Sequence, residues 1–273
     1  MSVLFSPTLL LGVCLLHKCN FNCSHCGYLY TGDSDDHELW PGYRLSMKQI
    51  RRLIADCKGI KNERFGFIFN GGEPTLWEEG NTKLVDILLA VDKEGINPNF
   101  NTNGSYFTDY SQCHNFFHRY ADEGNMPLMT SISIDKFHAN YDRERGRAVS
   151  LDNIVKVLGE MSSEKRAMHQ INVISIVSSA LDSYLPDEMK EYYEGMGTGI
   201  TFDEYPLQPI GRAKDLIDEI PDTEEFYKNL PPEKGPGEMP IATLIGESYI
   251  KRGKKLGKLG NLKDLINKYK EKE

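Results

Sequence analysis

The sequence predicts an α/β fold: a partial (β/α)6 parallel barrel with a short C-terminal extension. Three observations lead there. Six strand-like segments alternate strictly with stretches of helical periodicity, the order of a parallel sheet with right-handed crossovers. The 273 residues are enough for one large α/β domain. Residues that carry chemistry cluster where the runs end, and barrels keep their sites at the C-terminal ends of their strands. Six repeats rather than eight leave such a barrel open. Residues 1–213 would form it, and residues 214–273 an extension of linker and basic helical tail.

Composition narrows the function. Hydrophobic residues make up 40% of the chain, which suits a buried core rather than disorder. A net charge of −8 opposes general binding to a phosphate backbone, so no strong nucleic-acid signal is present. Of the six cysteines three share one loop, while Cys14, Cys57 and Cys113 are isolated on a strand and two helices. Small buried hydrophobe is the plain reading of those three. No disulfide framework is implied, so a reducing, cytoplasmic compartment is expected. Val3 to Leu16 has no basic leader, contains Pro7 and is too short to span a bilayer. It reads as a core strand, and no membrane association is expected.

The first strand is the uncharged run Thr8–Leu16, feeding Cys19-Asn20-Phe21-Asn22-Cys23-Ser24-His25-Cys26. The C-x3-C-x2-C spacing puts three soft ligands in one loop, suited to zinc or an iron–sulfur cluster. Three is one short of a closed structural site, whereas a cubane on three thiolates leaves one iron open. His17 or His25 could complete a zinc site, but no second C-x2-C or H-x3-H pair supports it. The stretch from Tyr28 to Tyr43 reads as a solvated loop.

Ser46-x-x-Gln49 is a capping box ahead of Ile50, Leu53 and Ile54, which recur at helical spacing. Phe65–Phe69 is the second strand, ending in Asn70-Gly71-Gly72-Glu73-Pro74. Two glycines there permit a sharp turn and a close backbone approach, with Glu73 fixed by the proline. Its carbonyls and carboxylate are able to accept from an ammonium group. Asn81–Glu94 is an amphipathic helix with Gly95 as its stop. Pro98–Thr102 is the third strand, closing in Thr102-Asn103-Gly104, and Asp109–Asp122 the third helix. Leu128–Ile134 is the fourth strand and ends in Ser133-Ile134-Asp135. Ser150 caps a fourth helix carrying Ile154, Val157, Leu158 and Met161. Ile171–Val177 and Ile200–Tyr205 are the fifth and sixth strands, with a helix within Tyr184–Tyr193 between them. Pro231–Gly237 is the linker, and Lys251, Arg252, Lys254, Lys255 and Lys258 mark the solvated basic tail.

From about Leu9 to Ala213 these motifs, in this order, resemble the radical S-adenosylmethionine (SAM) superfamily. The match comprises C-x3-C-x2-C, G-G-E-P, T-N-G, S-x-D followed by Asp142-x-x-Arg145-Gly146, and the exit Pro206-x-x-Pro209-x-Gly211-Arg212-Ala213. The last two resemble the subgroup containing the molybdopterin-precursor cyclase, the peptide maturases and the peripheral-haem enzymes. The resemblance implies that Cys19, Cys23 and Cys26 hold one [4Fe–4S] cluster whose fourth iron is chelated by SAM. It places Gly71, Gly72 and Glu73 at the SAM amino group, and Thr102 and Asn103 near the cofactor. Ser133, with Asp135 completing S-x-D, would lie near the ribose or carboxylate, Arg145 at the carboxylate, and His25 against the adenine. For Asp142 and Arg145 a plain surface ion pair is an equal reading.

The implied chemistry is reductive cleavage of SAM, with an electron from a flavodoxin- or ferredoxin-type donor. The 5′-deoxyadenosyl radical would then take a hydrogen atom from an unidentified substrate: a small metabolite, a cofactor precursor or a peptide. No cysteine follows Cys113, so a C-terminal auxiliary-cluster domain is not expected. Tyr28, Tyr30, Glu204 and Tyr205 are pocket residues by position only, and no proton donor or quencher stands out. Two other classes remain open, an activating enzyme that installs a glycyl radical on a partner protein and a non-catalytic zinc-binding protein. The S-x-D strand and the P-x-x-P-x-G-R-A exit favour a free-standing enzyme.

Overall fold

The computed structural model describes residues 9–26, 44–57, 65–135, 148–177, 187–196, 199–206 and 243–244. Asp142, Arg145, Tyr28, Tyr30, most of the P-x-x-P-x-G-R-A exit, the linker and the basic tail lie outside them, as do the side chains of Glu204 and Tyr205.

Six strands follow one another across a parallel sheet: β1 (Leu9–Leu16), β2 (Phe65–Gly71), then, after a small hairpin of β3 (Glu78–Glu79) and β4 (Thr82–Lys83), β5 (Asn97–Thr102), β6 (Leu128–Ser133), β7 (His169–Val177) and β8 (Thr201–Pro206). A two-residue strand, β9 (Thr243–Leu244), pairs with the outer edge of β1. The sheet order is β8-β7-β6-β5-β2-β1-β9. From β1 to β8 the winding never reverses. Right-handed crossovers then put every connecting helix on the same face of the sheet.

The core agrees. Phe67, Phe69, Phe100, Ile132, Val173 and Phe202, which share one face by register, lie in a single cluster with helix residues. Those residues come from α1 (Met47–Cys57), α2 (Leu84–Asp92), α3 (Tyr110–Glu123) and α4 (Val149–Glu160), with Tyr193 added from α6 (Asp187–Gly195). Each fully buried Leu, Ile or Phe there contributes roughly 1.5–3 kcal/mol. A short α5 (Ser163–Arg166) and α6 (Asp187–Gly195) complete the described helices. A six-strand parallel sheet wound one way, helices outside, is the expected open α/β barrel.

Local chemistry sets the ends of the elements. The Ser46 amide donates to Gln49 Oε1 at 2.8 Å and the Gln49 amide to Ser46 Oγ at 3.3 Å, so the capping box forms as read. Asp109 Oδ1 caps α3 by accepting the Gln112 amide at 2.9 Å. Trp77, fully buried, donates its Nε1 hydrogen to the Leu45 carbonyl at 2.7 Å and ties the hairpin to the entry of α1.

Two boundaries differ from expectation. The second helix starts at Leu84, not Asn81, because Gly80 at φ 61° turns the chain through the hairpin first. Ser150 is no cap: α4 begins at Val149 behind Ala148, and the Ser150 side chain is fully buried against the turn after β5. The sequence reading missed α5, β9 and the β3–β4 hairpin. All are too short to leave a periodicity.

Candidate functional site

The cysteine loop leaves β1 at the C-terminal rim of the sheet. Cys19, Cys23 and Cys26 are half-buried thiols, and none of the six cysteines is in a disulfide. The loop folds on itself: the Phe21 amide donates to Cys19 Sγ at 3.4 Å and the Cys26 amide to the Cys23 carbonyl at 3.3 Å. Burial pushes the Cys19 thiol above its ordinary range, the Phe21 amide opposes that, and Glu73, Cys23 and Cys26 add to the rise. Among the described residues no three His, Cys, Asp or Glu side chains are gathered into a finished metal group.

The glycines of G-G-E-P dock onto the root of that loop. The Gly72 amide donates to the Leu16 carbonyl at 2.7 Å and the Glu73 amide to the Lys18 carbonyl at 2.8 Å. Gly71 has φ 133°, and a Cβ on it would stand 2.3 Å from the Leu16 carbonyl oxygen. On Gly72 it would stand 2.1 Å from the Lys18 carbonyl oxygen. The close approach that the two glycines permit is therefore first an approach to the protein's own backbone.

Glu73 is 1% exposed, and both oxygens of its carboxylate accept hydrogen bonds. Oε1 accepts from the Thr75 amide (3.1 Å), the Thr75 hydroxyl (2.6 Å) and the Thr102 hydroxyl (2.7 Å). Oε2 accepts from the Asn103 amide at 2.7 Å. Burial raises its pKa above the usual carboxylate value, against the pull of these donors. The side chain read from sequence as an ammonium acceptor also clasps the exits of β2 and β5 together.

Asn103 carries the clasp on to the cysteines. Its Nδ2 donates to Asn20 Oδ1 at 2.9 Å and lies 3.7 Å from Cys19 Sγ. Its Oδ1 accepts the Ser105 amide at 2.9 Å, and Asn20 Nδ2 donates to Ser105 Oγ at 2.8 Å. Asn20 escaped the sequence reading because a polar residue between two cysteines carries no signal of its own. Gly104, at φ 76°, completes the turn where a Cβ would stand 3.0 Å from Ser150 Oγ.

Cys19, Gly71, Gly72, Glu73, Thr102 and Asn103 therefore form one laced unit at the ends of β1, β2 and β5. Ser133 ends β6, the next strand along the rim, half-buried and in register with Ile174. Asp135 is fully buried, and its Oδ2 accepts the Ile176 amide at 3.1 Å. His25 is half-buried within the cysteine loop.

The donor set fits an iron–sulfur cluster: three sulfurs on one turn and an amide N–H directed at one of them. Comparison with known proteins agrees. A family model described as the Radical SAM superfamily matches residues 13–177. Among solved structures, polyhistidine-tagged anSMEcpe with bound AdoMet is similar at TM-score 0.42 and 18% identity, over 72% of this chain and 50% of that one. Methylornithine synthase (PylB) is similar at TM-score 0.43 and 14% identity, over 78% of this chain and 58% of its own. The chain spans between half and three-fifths of the length of these two neighbours. No curated protein matches it.

Proposed function

Since the chain belongs to the radical SAM superfamily, enzymes that use a [4Fe–4S] cluster and SAM, we propose that it is a free-standing radical enzyme with a substrate of its own. Cys19, Cys23 and Cys26 would hold the cluster. When bound, the cluster supplies the electron that cleaves SAM to a 5′-deoxyadenosyl radical, which takes a hydrogen atom from the substrate.

The chain's own residues position these groups. Glu73 locks the backbone of Gly71 and Gly72 to the root of the cysteine loop, so the carbonyls of that turn keep a fixed place for the SAM amino group. Thr102 and Asn103 hold the facing wall. Ser133 and Asp135 belong to the ribose or carboxylate side, His25 to the adenine, and Arg145 to the SAM carboxylate. A one-electron donor of flavodoxin or ferredoxin type and a reducing, cytoplasmic compartment go with this reading. Among the described residues no helix is long and apolar enough to cross a membrane.

One observation carries the proposal. Three motifs far apart in sequence are tied by Glu73 and Asn103 into one unit around the first cysteine. A solvated loop or a structural zinc knuckle has no need of that lacing.

Anaerobic reconstitution with iron and sulfide, then SAM and a strong reductant, tests it. The expected outcome is a brown protein that releases 5′-deoxyadenosine. Cys23→Ala should abolish both properties, while Cys57→Ala, in the core of α1 at 1% exposure, should keep both. A colourless protein holding stoichiometric zinc would sink the proposal. Cleavage of SAM only in the presence of a partner protein would favour the activating-enzyme alternative instead.

A further inference from the structure

A row of polar side chains crosses the face of the sheet opposite the helices. Parallel register sets Cys14 beside Asn70, Asn101 beside Ser131, Ser131 beside Asn172, and Asn172 beside Thr201. Asn101 Nδ2 donates to Asn70 Oδ1 at 2.6 Å and closes the remaining gap. The polar row therefore runs over five strands, β2, β5, β6, β7 and β8, with the buried Cys14 thiol flanking it on β1. It lies just inside the rim, since Asn70 precedes Gly71 and Asn101 stands two residues before Asn103. In a filled barrel this layer is packed with branched aliphatic side chains. Here the apolar core lies on the helix face, and Asn101 and Asn172 remain half-exposed.

The hydrogen bonds show what the row has left to offer. Asn70 Nδ2 donates to the Ile68 carbonyl at 3.2 Å, Thr201 Oγ1 to Asn172 Oδ1 at 2.9 Å, and Asn172 Nδ2 to Asp203 Oδ2 at 3.0 Å. One N–H of each of the three amides, Asn70, Asn101 and Asn172, is taken by a neighbour. Asn101 Oδ1 is buried and has no hydrogen-bond partner. Asp203, on the same face and half-buried, adds carboxylate acceptors. None of the described strand positions on this face carries Lys or Arg. A phosphate ester brought here would face the Asp203 carboxylate with no Lys or Arg on these strand positions to offset it, whereas hydroxyl, amide or ammonium hydrogens could pair with that carboxylate.

We infer that this row is the substrate floor, and that the substrate is a small, donor-rich, neutral or cationic molecule. An amino sugar, a nucleoside or an amino-acid amide has this chemistry; phosphate esters and carboxylate-rich tetrapyrroles do not. The inference rests on the radical-enzyme proposal only for the word substrate. The row would bind such a molecule whatever chemistry follows.

The test is equilibrium binding to the anaerobic, cluster-loaded protein with SAM, read by saturation-transfer NMR. The probes are glucosamine, cytidine and serinamide, each paired with its own phosphate ester. At least one unphosphorylated probe should bind about tenfold more tightly than its ester. Asn101→Leu and Asp203→Ala should each weaken that binding by a similar factor, thermal melting confirming that the variants fold. Equal or tighter binding of the esters, no binding by any probe, or indifference to both substitutions overturns the inference. If the probes bind as expected but no 5′-deoxyadenosine forms, the radical-enzyme proposal fails and the binding class stands.

Discussion

The Thr102 hydroxyl donates to Glu73 Oε1 at 2.7 Å, joining the exits of two neighbouring strands through a carboxylate that is 1% exposed. Glu73→Gln keeps the shape but replaces one acceptor oxygen with a donor. Whichever way the amide turns, it meets either the Asn103 N–H or the Thr75 and Thr102 donors. A cost of about 2–3 kcal/mol in unfolding free energy is expected. Denaturant titration of the unloaded protein measures it, and a loss below about 0.5 kcal/mol would show that the clasp is idle.

Asn103 gives two separable effects. Asn103→Asp retains an acceptor for the Ser105 amide but removes both N–H donors, whereas Asn103→Ala removes all three bonds. Losing a donor to a ligand sulfur lowers a cluster's reduction potential. Both variants should therefore shift the midpoint to more negative values in a redox titration followed by electron paramagnetic resonance. Asn103→Ala should also melt at a lower temperature than Asn103→Asp. An unchanged midpoint in both would leave Asn103 a purely structural residue.

Gly72→Ala puts a methyl group 2.1 Å from the Lys18 carbonyl oxygen, where backbone rather than a flexible side chain must give way. Separation of the second turn from the cysteine loop is expected, with a stability loss of about 3 kcal/mol or more. Gly159→Ala is the control, because nothing lies within 4 Å of its added Cβ. It should be neutral or slightly stabilising, since alanine is the better helix former. Comparing the two melting curves checks both statements.

His169 predicts a pH dependence. It is 4% exposed, Nε2 lies 3.0 Å from the Phe117 carbonyl, and burial, opposed by that carbonyl and aided by the His118 charge, lowers its pKa to about 4. The folded form therefore binds its proton less readily than the unfolded chain. Stability is fully present above the ordinary histidine value near 6.5 and is lost as pH falls from there towards 4. The loss amounts to about 3 kcal/mol. His169→Gln should flatten the unfolding free energy across that interval, and an unaltered slope would assign the acid sensitivity to other groups.

The first two strands were legible as apolar runs bounded by turn formers, the later ones through their place in the strand–helix alternation, and the cysteine loop because ligand spacing is a local property. The laced unit was only half legible. That Gly71, Gly72, Glu73, Thr102 and Asn103 matter could be read from their motifs, but not that Glu73 spends its carboxylate on Thr75, Thr102 and Asn103. Which group a buried acceptor meets depends on strand order and register, which no single stretch encodes. Asn20 and the polar row were invisible for the same reason. Asn70, Asn101 and Asn172 look like scattered turn formers until parallel pairing sets them side by side. Ser150 misled in the opposite sense, because a hydroxyl ahead of an apolar period looks the same whether it caps a helix or is buried in its first turn.

The pairing of Thr243 and Leu244 with Leu11 and Gly12 bears on handling the protein as much as on its fold. The first strand, Leu9-Leu10-Leu11-Gly12-Val13-Cys14-Leu15-Leu16, is uncharged throughout. Left bare, such an edge is a template for the same edge of another molecule. These two residues act as a guard rail. A chain shortened to end at residue 240 should retain its fold yet lose solubility, forming aggregates whose growth steepens with concentration, as light scattering would record. Trimming the C-terminal segment to obtain a better-behaved protein would achieve the reverse.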